Sequence, residues 1–196
     1  YSWNDFWTSR HWSQKLAAVV AVTLTIFQIA TALFGAFDAI IQRSIHLGLG
    51  LILVFLVHAW GKKKGKPLPN GLDWVLILFS ILCIGYLLTH YEWVMVERFR
   101  LITPLEWYEK VLGVAMIILV VEATRRIFGK ALFYVVLAFI AYIFVGPYLP
   151  GFLHMAPLTW VELVDFNYLS LGGIFGVPLG VSATEIALFI IFGSIL

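Results

Sequence analysis

Apolar runs long enough to cross a bilayer constrain this chain most. A hydrocarbon core of about 30 Å needs roughly 20 helical residues. Five runs meet that length, Leu16 to Phe37, about Ser44 to Trp60, Leu72 to Tyr91, roughly Leu105 to Thr124 and Ala131 to Tyr148. A sixth starts near Gly180 and is still apolar at Leu196. The chain is 62% hydrophobic and 12% charged, against about 45–50% and 25% in soluble domains. A water-soluble globular fold is excluded, and the sequence reads as an all-α, polytopic helical membrane protein. The single cysteine, Cys83, lies inside an apolar run, so no intrachain disulfide forms.

Polar and turn residues mark the boundaries. Asp73 reads as a helix-start residue, as does the pair Thr103-Pro104. Gly146-Pro147 and Pro150-Gly151 close the fifth run. Four regions follow: 1–15, 16–128, 129–157 and 158–196. The first places Trp3, Phe6, Trp7 and Trp12 among Asn4, Asp5, Arg10 and Lys15, the pattern of a short interfacial anchor rather than a signal peptide. Trp60 and His46 read as further interfacial anchors through their amphipathic rings. The apolar end Phe192-Gly193-Ser194-Ile195-Leu196 carries no flanking charge and reads as continuing into further helices.

Charge placement gives orientation. Alternate threading puts Arg10, Lys15, Lys62, Lys63, Lys64, Lys66, Arg125, Arg126 and Lys130 on one side and Arg43, Arg98, Arg100 and Lys110 on the other. The richer side is expected to be cytoplasmic. The N-terminus is then inside an inner, cytoplasmic membrane, and the acidic loops face the periplasm. Nothing in the charge pattern suggests nucleic-acid binding.

Chemistry-bearing residues are few. Residues 158–170 mix apolar and acidic positions over a length too short to span and read as a periplasmic interfacial helix. Gly172, Gly173, Gly176 and Gly180 surround Pro178 at membrane depth. Gly176 and Gly180 have the spacing of a close helix contact, while Pro178 between them argues against an uninterrupted helix. Irregular backbone there is tolerated only inside protein or beside a wet cavity, so this segment is either a packed turn or the edge of a binding site. Glu122, with Arg125 and Arg126 three and four residues on, reads as an intramembrane or interface charge pair. Glu185 has no cation nearby in sequence and is expected to face the headgroups. His46 and His90 fall near one side of the second and third runs, which raises a rival reading, a membrane redox protein with a haem between them. No Walker loop, zinc-ligand cluster or Ser/His/Asp set is legible, so neither catalysis nor a bound metal is expected.

Four stretches together resemble one family: Gln42 to Gly48, Leu119 to Arg126, Gly146 to Gly151 with His154, and Gly173 to Thr184, which includes Gly173, Gly176, Pro178, Gly180, Ser182 and Thr184. They are similar to a fused permease of the TAXI type among the tripartite ATP-independent periplasmic (TRAP) transporters. The resemblance implies a four-helix Q-like bundle over 16–128, a linking transmembrane helix and periplasmic turn over 129–157, and the start of an M-like transport part from 158. It also implies import of small organic anions such as carboxylates, driven by a cation gradient, with a periplasmic substrate-binding protein and the remainder of the M-type part as partners besides the membrane lipids. By the same resemblance most of this chain is scaffold, and the coupling cation, Na+ or H+, binds outside it.

Overall fold

The computed structural model describes residues 12–63, 66–99 and 102–195. Among these described residues eight α-helices follow in order: α1 Trp12–Phe34, α2 Ala39–Val57, α3 Gly71–Thr89, α4 Trp107–Phe128, α5 Lys130–Val145, α6 Trp160–Tyr168, α7 Val177–Val181 and α8 Ala187–Ile195. A π-helical turn, Ser182–Ile186, joins α7 to α8, and another, Trp93–Glu97, follows α3. Five helical segments are long and apolar enough to cross a membrane: α1, α2, α3, Lys130–Tyr148 and Val177–Ser194. The protein is a multi-pass helical membrane protein. Among the described residues a small antiparallel hairpin, β1 Gly61–Lys63 paired with β2 Lys66–Leu68, lies in the basic stretch that follows α2.

Helix α4 matches the expected fourth run but is absent from those five, because charges stand near both of its ends. Side-chain bonds at its two ends nevertheless lay it along α3. At one end Tyr86 gives its hydroxyl to Glu109 Oε1 at 2.7 Å, and at the other Arg126 Nη1 gives to Asp73 Oδ1 at 2.7 Å. The two helices therefore run antiparallel over the same height. The sequence placed the start of α4 at Thr103-Pro104; it begins instead at Trp107, where Glu109 Oε2 accepts the Glu106 amide at 2.8 Å. It ends at Gly129, whose φ of +79° is a conformation that favours glycine and lets α5 begin one residue later.

The remaining boundaries shift for local reasons. Trp12 was assigned to a separate interfacial anchor; it is the first described residue of α1 and stacks on Trp74 of α3 at 5.4 Å. Trp3 and Trp7 lie outside the described residues. Helix α2 starts at Ala39 rather than Ser44 because Asp38 caps it, accepting the Ala39 amide at 3.0 Å. Asp38 also accepts the Tyr91 hydroxyl, which ties the start of α2 to the chain just past α3.

Residues 158–170 do form a short helix, α6, but its contacts exceed those of a helix resting alone among headgroups. Val164, Asp165 and Tyr168 are buried, and the Tyr168 hydroxyl gives to the Cys83 carbonyl, in the body of α3, at 2.7 Å. The seat is Gly113 of α4, where a Cβ would stand 2.3 Å from Val164 Cγ1. Small residues of this kind let helices approach in lipid, where apolar burial alone gives little drive to associate. Arg98 joins α6 from the other side, its Nη1 2.6 Å from Asp165 Oδ1, with both side chains 1% exposed. Phe55, Cys83, Leu87, Met116, Leu119, Tyr168 and Phe175 complete this core. Helix α5 has no buried residue.

Candidate functional site

The glycine-rich segment makes a sharp turn at the foot of α6. Ser170 Oγ accepts the Gly172 amide at 3.1 Å, Asn167 O accepts the Ile174 amide at 3.2 Å, and Gly173 O accepts the Gly176 amide at 2.9 Å. The turn fits only glycine at two places. A Cβ on Gly173 would stand 2.4 Å from Asn167 Cα, and one on Gly176 would stand 2.8 Å from Gly173 O. Pro178 sits where a helix begins rather than inside one. Gly176 is the N-cap and Pro178 sits in the first turn of α7, where its missing N–H costs no hydrogen bond. The irregular stretch therefore lies before Pro178, over residues 169–176.

Beyond it the chain runs against the polar face of α1 and α2. Arg43 Nη1 gives to the Phe175 carbonyl at 2.7 Å, and the guanidinium lies over Gly180, where a Cβ would stand 2.7 Å from Nη2. Gly180 thus makes room for a cation rather than for a helix backbone. His46 is central, with Nδ1 2.6 Å from Gln28 Nε2 and Nε2 at a longer 3.4 Å from Ser182 Oγ. Gln42 Nε2 gives to Thr31 Oγ1 at 3.1 Å and reaches Ala183 O at 3.4 Å, while its buried Oε1 has no partner among the described residues. Thr184 Oγ1 gives back to Gly180 O at 3.0 Å. The result is a hydrogen-bonded cluster of amides, hydroxyls, one imidazole and one guanidinium joining two spans to the start of the last helical segment.

Gly180 and Ser182 therefore meet the cluster that holds His46, and Thr184 lies one turn beyond Gly180, whereas Gly173, Gly176 and Pro178 belong to the turn that leads into it. The sequence reading missed Gln28 and Thr31. Their spacing of three, together with Gln42 and His46 four apart, marks one polar stripe on each of two otherwise apolar helices.

A second cluster closes the lysine-rich end. Glu122 Oε1 and Oε2 accept Arg125 Nη2 and Nε, both at 2.7 Å, and Arg126 Nε also reaches Oε1 at 2.7 Å. The expected local pair is present, but it is part of a larger set. Asp73, fully buried, takes Arg126 Nη1 on one oxygen and the amides of Trp60 and Asn70 on the other, at 3.2 and 2.9 Å. Trp60 lies under the Arg125 guanidinium, 4.9 Å from its ring centre, so the ring anchors a cation as well as facing outward. This cluster fixes the ends of α2, α3 and α4.

The two histidines proposed for haem have other partners. His46 has both ring nitrogens within the polar cluster, and His90 stacks on Tyr86 at 4.4 Å with Nδ1 3.0 Å from Thr89 Oγ1. Among the described residues no group of three or more His, Cys, Asp or Glu side chains is placed to hold a metal ion. No family model matches the chain, and no curated protein or solved structure is significantly similar to it.

Proposed function

We propose that this chain is the membrane permease component of a cation-gradient-driven secondary transporter, one that imports small organic anions such as carboxylates handed over by a soluble periplasmic binding protein. The observation that carries this reading is the irregular turn over residues 169–176 leading into a helical segment with a π-turn at Ser182–Ile186, held against Gln28, Gln42, Arg43 and His46. Irregular backbone in a bilayer survives when protein buries it, and such breaks accompany polar residues in transporter spans. The sequence resemblance to a TAXI-type TRAP permease lies on the same residues, Gln42 to Gly48 and Gly173 to Thr184. The four-helix part, tied at both ends by side-chain bonds and ion pairs, suits a fixed scaffold.

On this reading the polar cluster is a joint. It holds the start of the transport part on the scaffold through bonds to one imidazole, two amides and one guanidinium. Removing the gene from its host is expected to abolish uptake of the organic acid concerned, and complementation with the full-length protein is expected to restore it. Unchanged uptake in the deletion strain would leave a structural or assembly role. A Soret band in the purified protein would establish the haem reading instead.

A further inference from the structure

The turn between α1 and α2 and the start of the last apolar segment enclose a cleft of about 310 Å³. Its walls include Phe37, Val177 and Val181, while Arg43, Gln42 and Glu185 also line it. Phe37 and Val177 are largely exposed, so the mouth of the cleft is apolar. Arg43 and Glu185 carry opposite charges in this one cleft, yet they form no ion pair with each other or with any other described residue. Arg43 spends one N–H on the Phe175 carbonyl. Its remaining donors, and the Glu185 carboxylate, have no protein partner among the described residues.

Depth narrows the occupant. Arg43 lies four residues inside the start of α2, about 6 Å along the axis, a distance an arginine side chain can snorkel from a spanning helix toward phosphate groups beyond its end. A cation separated from an anion within an apolar-walled cleft matches a headgroup that itself carries both charges. An ammonium that keeps its N–H donors is the cationic group that the exposed Glu185 carboxylate can hold by charge-assisted hydrogen bonds.

We infer that this cleft is a binding site for an ethanolamine phospholipid, with the phosphate on Arg43, the ammonium on Glu185 and the acyl chains along Phe37, Val177 and Val181. A charge-assisted hydrogen bond at each end distinguishes this lipid from glycerol and choline headgroups, which lack the ammonium or its N–H groups. The inference is independent of the transport reading.

The test is native mass spectrometry of the delipidated full-length protein, offered equal amounts of phosphatidylethanolamine, phosphatidylglycerol and phosphatidylcholine. The ethanolamine lipid is expected to be retained about tenfold better than either of the others, the scale of one charged hydrogen bond. Glu185→Gln, an exposed change, should erase that preference while leaving phosphate-dependent retention of all three. Arg43→Gln should lower retention of all three, and Arg43→Lys should recover most of it. Equal retention of the three lipids by the wild type overturns the inference, as does an ethanolamine preference that survives Glu185→Gln. Displacement of the lipid by micromolar glycerophosphoethanolamine would overturn it too, by showing a site for a soluble zwitterion in which the acyl chains contribute nothing.

Discussion

Arg126, near the end of α4, donates its Nη1 to Asp73 Oδ1 at the start of α3 across 2.7 Å, with the two side chains 2% and 0% exposed. The pair is the hinge pin of the lysine-rich end. Asp73 also receives two backbone amides there, and Arg126 also holds Glu122 and the His58 carbonyl that ends α2.

Removing one partner of a buried ion pair leaves the other charge uncompensated, at a cost of about 3–5 kcal/mol. Asp73→Ala is therefore expected to destabilise the protein by about that amount. Glu122→Gln should cost less, because Glu122 is partly exposed and its pairs are local. Denaturation in mild detergent, followed by intrinsic tryptophan fluorescence, reads both. Equal losses for the two variants would show that Asp73 is not the centre of the cluster.

Gly113 is the seat of α6. Gly113→Ala puts a Cβ 2.3 Å from Val164 Cγ1, an overpacking that costs about 1–3 kcal/mol. Pairing it with Val164→Ala should return much of the loss. A Gly113→Ala protein as stable as the wild type would mean that α6 rests less closely on α4.

The turn at residues 169–176 admits no side chain at Gly176. Gly176→Leu is expected to impair assembly or transport, because its Cβ meets the Gly173 carbonyl oxygen at 2.8 Å. Gly180→Ala is a milder probe, since its Cβ meets the movable Arg43 guanidinium rather than backbone. Wild-type folding and uptake by Gly176→Leu would show a loose turn.

Glu162 caps the start of α6. The Thr159 amide and hydroxyl, 2.6 and 2.8 Å from its carboxylate, hold it below the usual carboxylate range. A depressed pKa stabilises the fold above the unfolded value, about 4.3, and that contribution is lost as pH falls through the folded value. The stability margin of the wild type over Glu162→Gln should be constant at neutral pH and shrink from about pH 5 downward. A margin that does not depend on pH would show that the cap contributes nothing.

How far the sequence reached depends on the residue. The apolar runs located α1, α2, α3, α5 and the last segment because a bilayer imposes length directly. Helix α4 was found too, yet its role as a full-height partner of α3 rests on Tyr86 with Glu109 and Asp73 with Arg126, pairs 23 and 53 residues apart. No local pattern reveals such pairs. The bond between Glu122 and its two arginines was legible because helical spacing puts them on one face. Asp73 was legible only as a helix start, since the role of its second oxygen depends on chain distant in sequence. Pro178 did not by itself say on which side of it the helix lies, because proline is excluded from a helix interior but tolerated in a first turn, and only the turn ahead of it decides. The joint at His46 was hidden for a similar reason. Its partners Gln28 and Ser182 come from elements 18 and 136 residues away.

Uptake by the full-length protein in proteoliposomes tests the transport reading most directly. Labelled carboxylates would be supplied with and without the periplasmic binding protein and with and without an imposed cation gradient. The transport reading predicts accumulation only when both are present. Accumulation with either one missing would contradict it.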